Sequence, residues 1–167
     1  FKYEYKVRYV SQIKILFTEN GFSNYMKQSQ YGAHQNAAIK IFNEYPYFGV
    51  GVKNYRNESI KEKYENLEYS LTHARQSSHP HQIHHEFLSE TGIVGYVSFL
   101  LFILTSLWLS IKNYFHNKNI YQLSSIIYII SSLIPFIPTG SFLSTFYSGI
   151  FWINYAIMIS YINKSKF

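Results

Sequence analysis

The chain has 167 residues, a formal net charge of +6 and no cysteine, so no disulfide framework holds it and a Cys-based metal site is excluded. Its 47% apolar and 20% aromatic content and a mean hydropathy of −0.10 resemble those of a globular protein, but the charges are badly uneven. All nine carboxylates lie between Glu4 and Glu90, while the stretch from Thr91 to Phe167 has no acid and only Lys112, Lys118, Lys164 and Lys166. A polar, aromatic-rich half thus precedes a half suited to a lipid solvent, which excludes a soluble one-domain protein.

The chain opens on the basic aromatic run FKYEYKVRYV, without an initiator Met or a secretory signal, and is expected to be the C-terminal piece of a longer protein. From His34 to Tyr45 the sequence predicts a helix with Ala38, Ile41, Phe42 and Tyr45 on one stripe, ended by Pro46. The following YFGVGVKNYR sets Gly49 and Gly51 two apart. That spacing permits positive φ or a close backbone approach, either toward a ligand or simply between two packed elements. From Asn57 to Ser78 the chain is polar and uneven, and ESIKEKYENLEY predicts an exposed turn or two of helix.

The densest chemistry is in ARQSSHPHQIHHEFLSETGIVGY, where Arg75, His79, His81, His84, His85, Glu86 and Glu90 fall within sixteen positions. A helix beginning near Pro80, a good first helical residue, sets His81 and His85 on one face and turns His84 aside. Two histidines and a carboxylate invite a metal. Zinc sites usually need three or four ligands, however, and HExxH is missing, so no metal and no cofactor are expected. The competing reading makes one histidine a general base, since neutral imidazole accepts a proton from a sugar hydroxyl near neutral pH. Arg56 and Arg75 then suit phosphate oxygens, which the guanidinium fork grips in pairs.

Three apolar segments follow: Ile93 to Ile111, Ile120 to Ile137 and Phe142 to Ile162. Each is measured against the roughly 20 residues a spanning helix needs. Lysines flank the KNYFHNKN turn and close the tail, so the positive-inside rule makes both cytoplasmic. The predicted architecture is all-α and polytopic. It has an extracytoplasmic region of short helices at 1–91, spans at 92–112, 120–137 and 142–162, a cytoplasmic turn at 113–119, an outer turn at 138–141 and a cytoplasmic tail at 163–167. A transporter or metal-binding membrane protein is the alternative. It expects ionisable groups inside the spans, and the segments carry none between Ile93 and Ile111 or from Ile120 to Lys164.

The block Ser78 to Gly95, preceded by Ala37 to Arg56, resembles the signature region of the O-antigen ligase/polymerase superfamily. Pro46, Gly49 and Gly51 fit its Pro-x-x-Gly-x-Gly loop. His79, Pro80, His81, Leu88, Glu90, Gly92 and Gly95 fit its HPHN-like segment and the Leu-x-Glu-x-Gly helix start. The resemblance implies a multi-pass protein of the bacterial inner membrane, with residues 1–91 on the periplasmic side. It implies transfer of a glycan from a polyprenyl-diphosphate carrier to a hydroxyl of lipid A core or of a second lipid-linked glycan, without nucleotide sugar, metal or nucleic acid. A loop histidine serves as base, here His81 or His79, and arginines bind the diphosphate. Gln82 stands where the family usually has Asn, and Tyr31 and His34 stand where many members carry an arginine. Arg56, Arg75, His34, Gln82 and Glu90 are therefore the expected substrate contacts.

Overall fold

A computed structural model describes residues 10, 12–135 and 137–162 of the chain. Lys164 and Lys166, on which the cytoplasmic tail was predicted, lie outside the described residues. Among those residues every regular element is helical. The order is α1 (Gln12–Leu16), α2 (Gly21–Gln28), α3 (Gln30–Glu44), α4 (Tyr55–Glu58), 3-10 turns at Glu62–Tyr64 and Thr72–Arg75, α5 (Ile83–Asn117), α6 (Ile120–Ser132) and α7 (Thr145–Ser160).

Helix α3 starts four residues before the predicted His34, because Ser29 caps it: the Ser29 hydroxyl accepts from Gly32 N at 3.0 Å. Its end falls where expected. Tyr45 leaves helical geometry, as the residue before a proline tends to. The buried face runs through Ala33, Ala37, Ala38 and Ile41, with Phe42 half-buried and Tyr45 exposed. Ala37, Ala38 and Ile41 meet Tyr55 and Tyr64 in a small core. The segment ESIKEKYENLEY holds a short 3-10 turn, Glu62–Tyr64, whose Tyr64 is buried, and the next turn, Thr72–Arg75, buries Thr72 and Arg75.

Helix α5 is broken at Gly92, where φ is 66° and ψ −171°. The break interrupts the i to i−4 ladder, freeing the amides of Ile93 and Val94 and the carbonyls of Ser89 and Glu90. The loop after α3 fills all four places. Ile93 N donates to Pro46 O at 2.8 Å and Val94 N to Tyr47 O at 3.2 Å, while Val50 N donates to Ser89 O at 3.0 Å and Gly51 N to Glu90 O at 2.9 Å. This splice needs two glycines. A Cβ on Gly49 would collide with the backbone of Glu90 and Thr91, and one on Gly92 with the backbone of Tyr47 and Phe48.

Beyond the break, α5 packs with α6 and α7 around Ile103, Leu107, Ile126, Ile129, Phe142, Phe151, Tyr155 and Met158. At the far end a polar clasp joins the three helices. Asn113 Nδ2 donates to Gln122 Oε1 (3.1 Å) and Tyr161 O (2.9 Å), and Gln122 Nε2 donates to Met158 O (3.2 Å).

Only α5, among the described residues, is long and apolar enough to cross a membrane. Helix α6 stops at Ser132 rather than Ile137, and α7 starts at Thr145 rather than Phe142. Their 13 and 16 residues rise about 20 and 24 Å, short of a hydrocarbon core of about 30 Å. Pro135 and Pro138 lie in the intervening connector, where a helix would lose amide donors.

Candidate active site

The first two turns of α5 form a spine that holds a wall on either side through two buried carboxylates. Glu86 accepts from Ser141 Oγ at 2.5 Å, Phe142 N at 2.7 Å and Leu143 N at 3.4 Å, which ties down the connector between α6 and α7. Glu90, one turn on, accepts from Lys53 N at 2.6 Å and Tyr55 N at 3.1 Å, which fixes the turn after the glycine loop. Burial pushes both carboxyls above their usual pKa, opposed by the backbone hydrogen bonds they accept. Between the walls lies a cleft of about 180 Å³ lined by Lys53, Arg56, Ser78, His79, Glu86, Glu90, Ser141 and Ser144.

Helix α5 begins at Ile83, not near Pro80, so His81 and His85 do not share a helix face. Gln82 is the N-cap: its side-chain oxygen accepts from His85 N at 3.0 Å and lies 2.9 Å from His85 Nδ1. Its place as a substrate contact is thus taken by a capping role, and it is almost fully buried. His81 sits just before the cap with φ 54°, a left-handed conformation that histidine adopts more readily than most residues.

His79, His81 and His34 form a stack. The His79 and His81 rings are 4.0 Å apart, His34 lies 4.9 Å from His81 and near-parallel to it, and Tyr31 meets both His34 and His81 edge-on. Helix α3 delivers Tyr31 and His34 on adjacent turns, and the loop before α5 delivers the other two. Burial, then the charge of neighbouring histidines, lowers the pKa of His34 and of His81 to about 4, and burial lowers that of His79. His85 is lowered to about 4 by burial and by His84. The stacked rings present faces to one another rather than nitrogens to a common point. Among the described residues no set of three or more His, Asp or Glu converges on a metal position.

Only His79 of the stack lines the cleft. Its Nδ1 is 2.9 Å from Ser78 Oγ, and its buried Nε2 finds no hydrogen-bond partner among the described residues. In the tautomer that donates Nδ1–H to Ser78, Nε2 keeps a lone pair for a proton, and the Thr139 main chain beside the ring favours its protonated form, against the burial that lowers its pKa. Arg56 donates its Nε–H to Lys53 O at 3.1 Å, which sets the guanidinium beside the Lys53 main chain. Arg75 is elsewhere. It is 3% exposed in its 3-10 turn, donates to Thr72 O at 3.1 Å, lies 4.0 Å from Glu65, and does not line the cleft. The Tyr55 hydroxyl, 3.0 Å from His34 O and 3.2 Å from Arg75 O, locks that turn to α3. His84 also has a structural post: Nε2 lies 2.8 Å from Leu133 O and Nδ1 3.0 Å from the Tyr96 hydroxyl.

The sequence did not single out Lys53, Ser141 or Ser144. Lys53 lies two residues after Gly51 and was visible in principle, whereas the two serines sit in an unremarkable connector.

A family model described as O-antigen ligase matches residues 7–100, more than half of the chain. The chain belongs to the O-antigen ligase family. No curated protein and no solved structure matches it. Family members are integral inner-membrane proteins that act on lipid-linked glycans. The segment matched by the family model holds the stack, the spine and the cationic wall, while Ser141 and Ser144 come from outside it.

Proposed function

We propose that the cleft holds the diphosphate of a polyprenyl-linked saccharide and that the complete protein transfers the saccharide to an acceptor hydroxyl at the periplasmic face. The acceptor is lipid A core or a second lipid-linked glycan. The observation that carries this reading is the shared lining of the cleft: Lys53, Arg56 and His79 face one volume of about 180 Å³. Two cations suit a diphosphate, with Arg56 offering a planar fork and Lys53 a compact charge. The nearby carboxylates of Glu86 and Glu90 are engaged by main-chain amides, so they serve as brackets for the walls.

In the proposed reaction the acceptor oxygen attacks the anomeric carbon and the bond from that carbon to the diphosphate oxygen breaks. The acceptor proton passes to His79 Nε2 and the polyprenyl diphosphate leaves. A histidine with a lowered pKa is neutral at pH 7 and ready to accept, though a weaker base than free imidazole. His81 and His34 hold the His79 ring from behind through the stack, and Arg75 supports the loop from within. In the proposed membrane frame α5 crosses, α6 and α7 are shorter crossings beside it, and residues 1–91 and the 138–141 turn are periplasmic, the two lying at one end of the bundle because Thr139 N donates to His81 O at 2.8 Å.

Binding tests the cationic wall. Polyprenyl diphosphate should bind detergent-solubilised Arg56→Ala and Lys53→Ala variants of the complete protein at least tenfold more weakly than the wild type, a loss of about 1.4 kcal/mol or more. Arg56→Lys should lie between, because an ammonium does not reproduce the bidentate fork. Equal affinity in all variants would move the diphosphate out of this cleft.

A further inference from the structure

The loop spliced into the α5 break carries three exposed aromatic rings that neither core uses. Tyr45, Tyr47 and Phe48 are 37%, 68% and 75% exposed. Yet Pro46 O and Tyr47 O accept from Ile93 N and Val94 N, the first amides of the apolar run of α5. Those bonds leave the loop no freedom in height: it sits where α5, among the described residues the one helix long enough to cross the bilayer, begins its apolar stretch. Ile93 and Val94 are themselves exposed, and exposed Val97, Leu101 and Leu104 continue the apolar surface down α5. The acid beside the loop, Glu44, is neutralised locally by Lys63 and by the Tyr64 hydroxyl at 2.6 Å.

We propose that Tyr45, Tyr47 and Phe48 form an interfacial anchor whose partner is the headgroup–acyl boundary of the bilayer. Tyrosine suits that boundary because its ring is apolar and its hydroxyl prefers water, and phenylalanine inserts below it. The splice rather than helix packing then sets the depth of the loop. Lys53, on the same loop, and Arg56, in the α4 turn that follows it, come five and eight residues after Phe48, so the anchor sets the cationic wall at headgroup height, where the diphosphate of a membrane-embedded carrier lies. This last consequence rests on the proposed function, while the anchor rests only on α5 crossing the membrane.

The chain has no cysteine, so single nitroxide labels at Tyr47→Cys, Phe48→Cys, Leu101→Cys and Leu67→Cys can be read without background. The complete protein, with any cysteine outside this chain replaced, is reconstituted in phosphatidylethanolamine–phosphatidylglycerol vesicles, and label collisions with oxygen and with a water-soluble nickel chelate are measured. The anchor predicts that labels 47 and 48 favour oxygen over nickel, at a depth shallower than label 101, while label 67 on the 88% exposed Leu67 favours nickel. Nickel-accessible labels at 47 and 48 beside a lipid-exposed label 101 would overturn it. Immobile labels shielded from both reagents would also overturn it, showing that protein covers the patch. An aqueous label 101 would remove the membrane crossing itself. None of these readouts needs transfer activity, so failure of the anchor and failure of the proposed reaction are separable.

Discussion

At the scale of single residues, three imidazoles pressed together behave as one ionisable unit, because a proton on any ring opposes a proton on the next. His34 and His81 titrate at about 4 in the fold and near 6.5 when unfolded. Between those values the unfolded chain binds more protons, so stability rises with pH across the window. It is fully present above pH 6.5 and is lost as pH falls toward about 4. The unfolding temperature should therefore be level from pH 8 to 7 and decline from 6.5 to 4.5, with a shallower decline in His34→Leu. A constant unfolding temperature over that range would contradict the buried, neutral stack. The histidines stood out in sequence by density alone. Which one faces a cleft was not legible, because His81 is turned into the left-handed region and Gln82, rather than Pro80, starts the helix. Sequence could not show that Glu90, which lines the cleft, and Gln82 also accept from main-chain amides, because a bracket and a binding group share residue types.

At the scale of elements, the splice between the glycine loop and broken α5 is the joint on which both walls depend. The glycine pair was legible as a site of close approach, but its partner, forty residues on, was not, since nothing in a one-dimensional pattern marks a helix that will be interrupted. Gly92→Ala forces an alanine to φ 66° and into the Tyr47 backbone. With ψ at −171° this is a backbone region that essentially only glycine occupies, costing an alanine about 1–3 kcal/mol, and the collision adds to it. Gly49→Ala meets the same kind of obstruction from Glu90 and Thr91. Both should lower the denaturation midpoint in detergent. The double variant should lose less than the sum, because either change already opens the joint. Strict additivity would mean that the two glycines act independently.

At the scale of the molecule, the change of composition near Thr91 was legible because an average survives ignorance of geometry. Helix lengths were not: the apolar run continues past Ser132, and the chain leaves the helix near Pro135 nonetheless. The proposed orientation predicts that Asn66→Cys reacts with a membrane-impermeant maleimide in intact cells, while Asn117→Cys reacts only after lysis. The opposite pattern would invert the frame and move the cleft to the cytoplasm. The central claim, that His79 serves as base beside a cationic wall, is tested most directly by glycan transfer in membranes of a null strain complemented with full-length variants at matched expression. His79→Ala should lose about 10²- to 10⁴-fold in rate while still binding the carrier, and His81→Ala, which acts through the stack, should lose less. Wild-type transfer by His79→Ala would contradict the account, and loss confined to His81→Ala would hand the proton to the ring behind it.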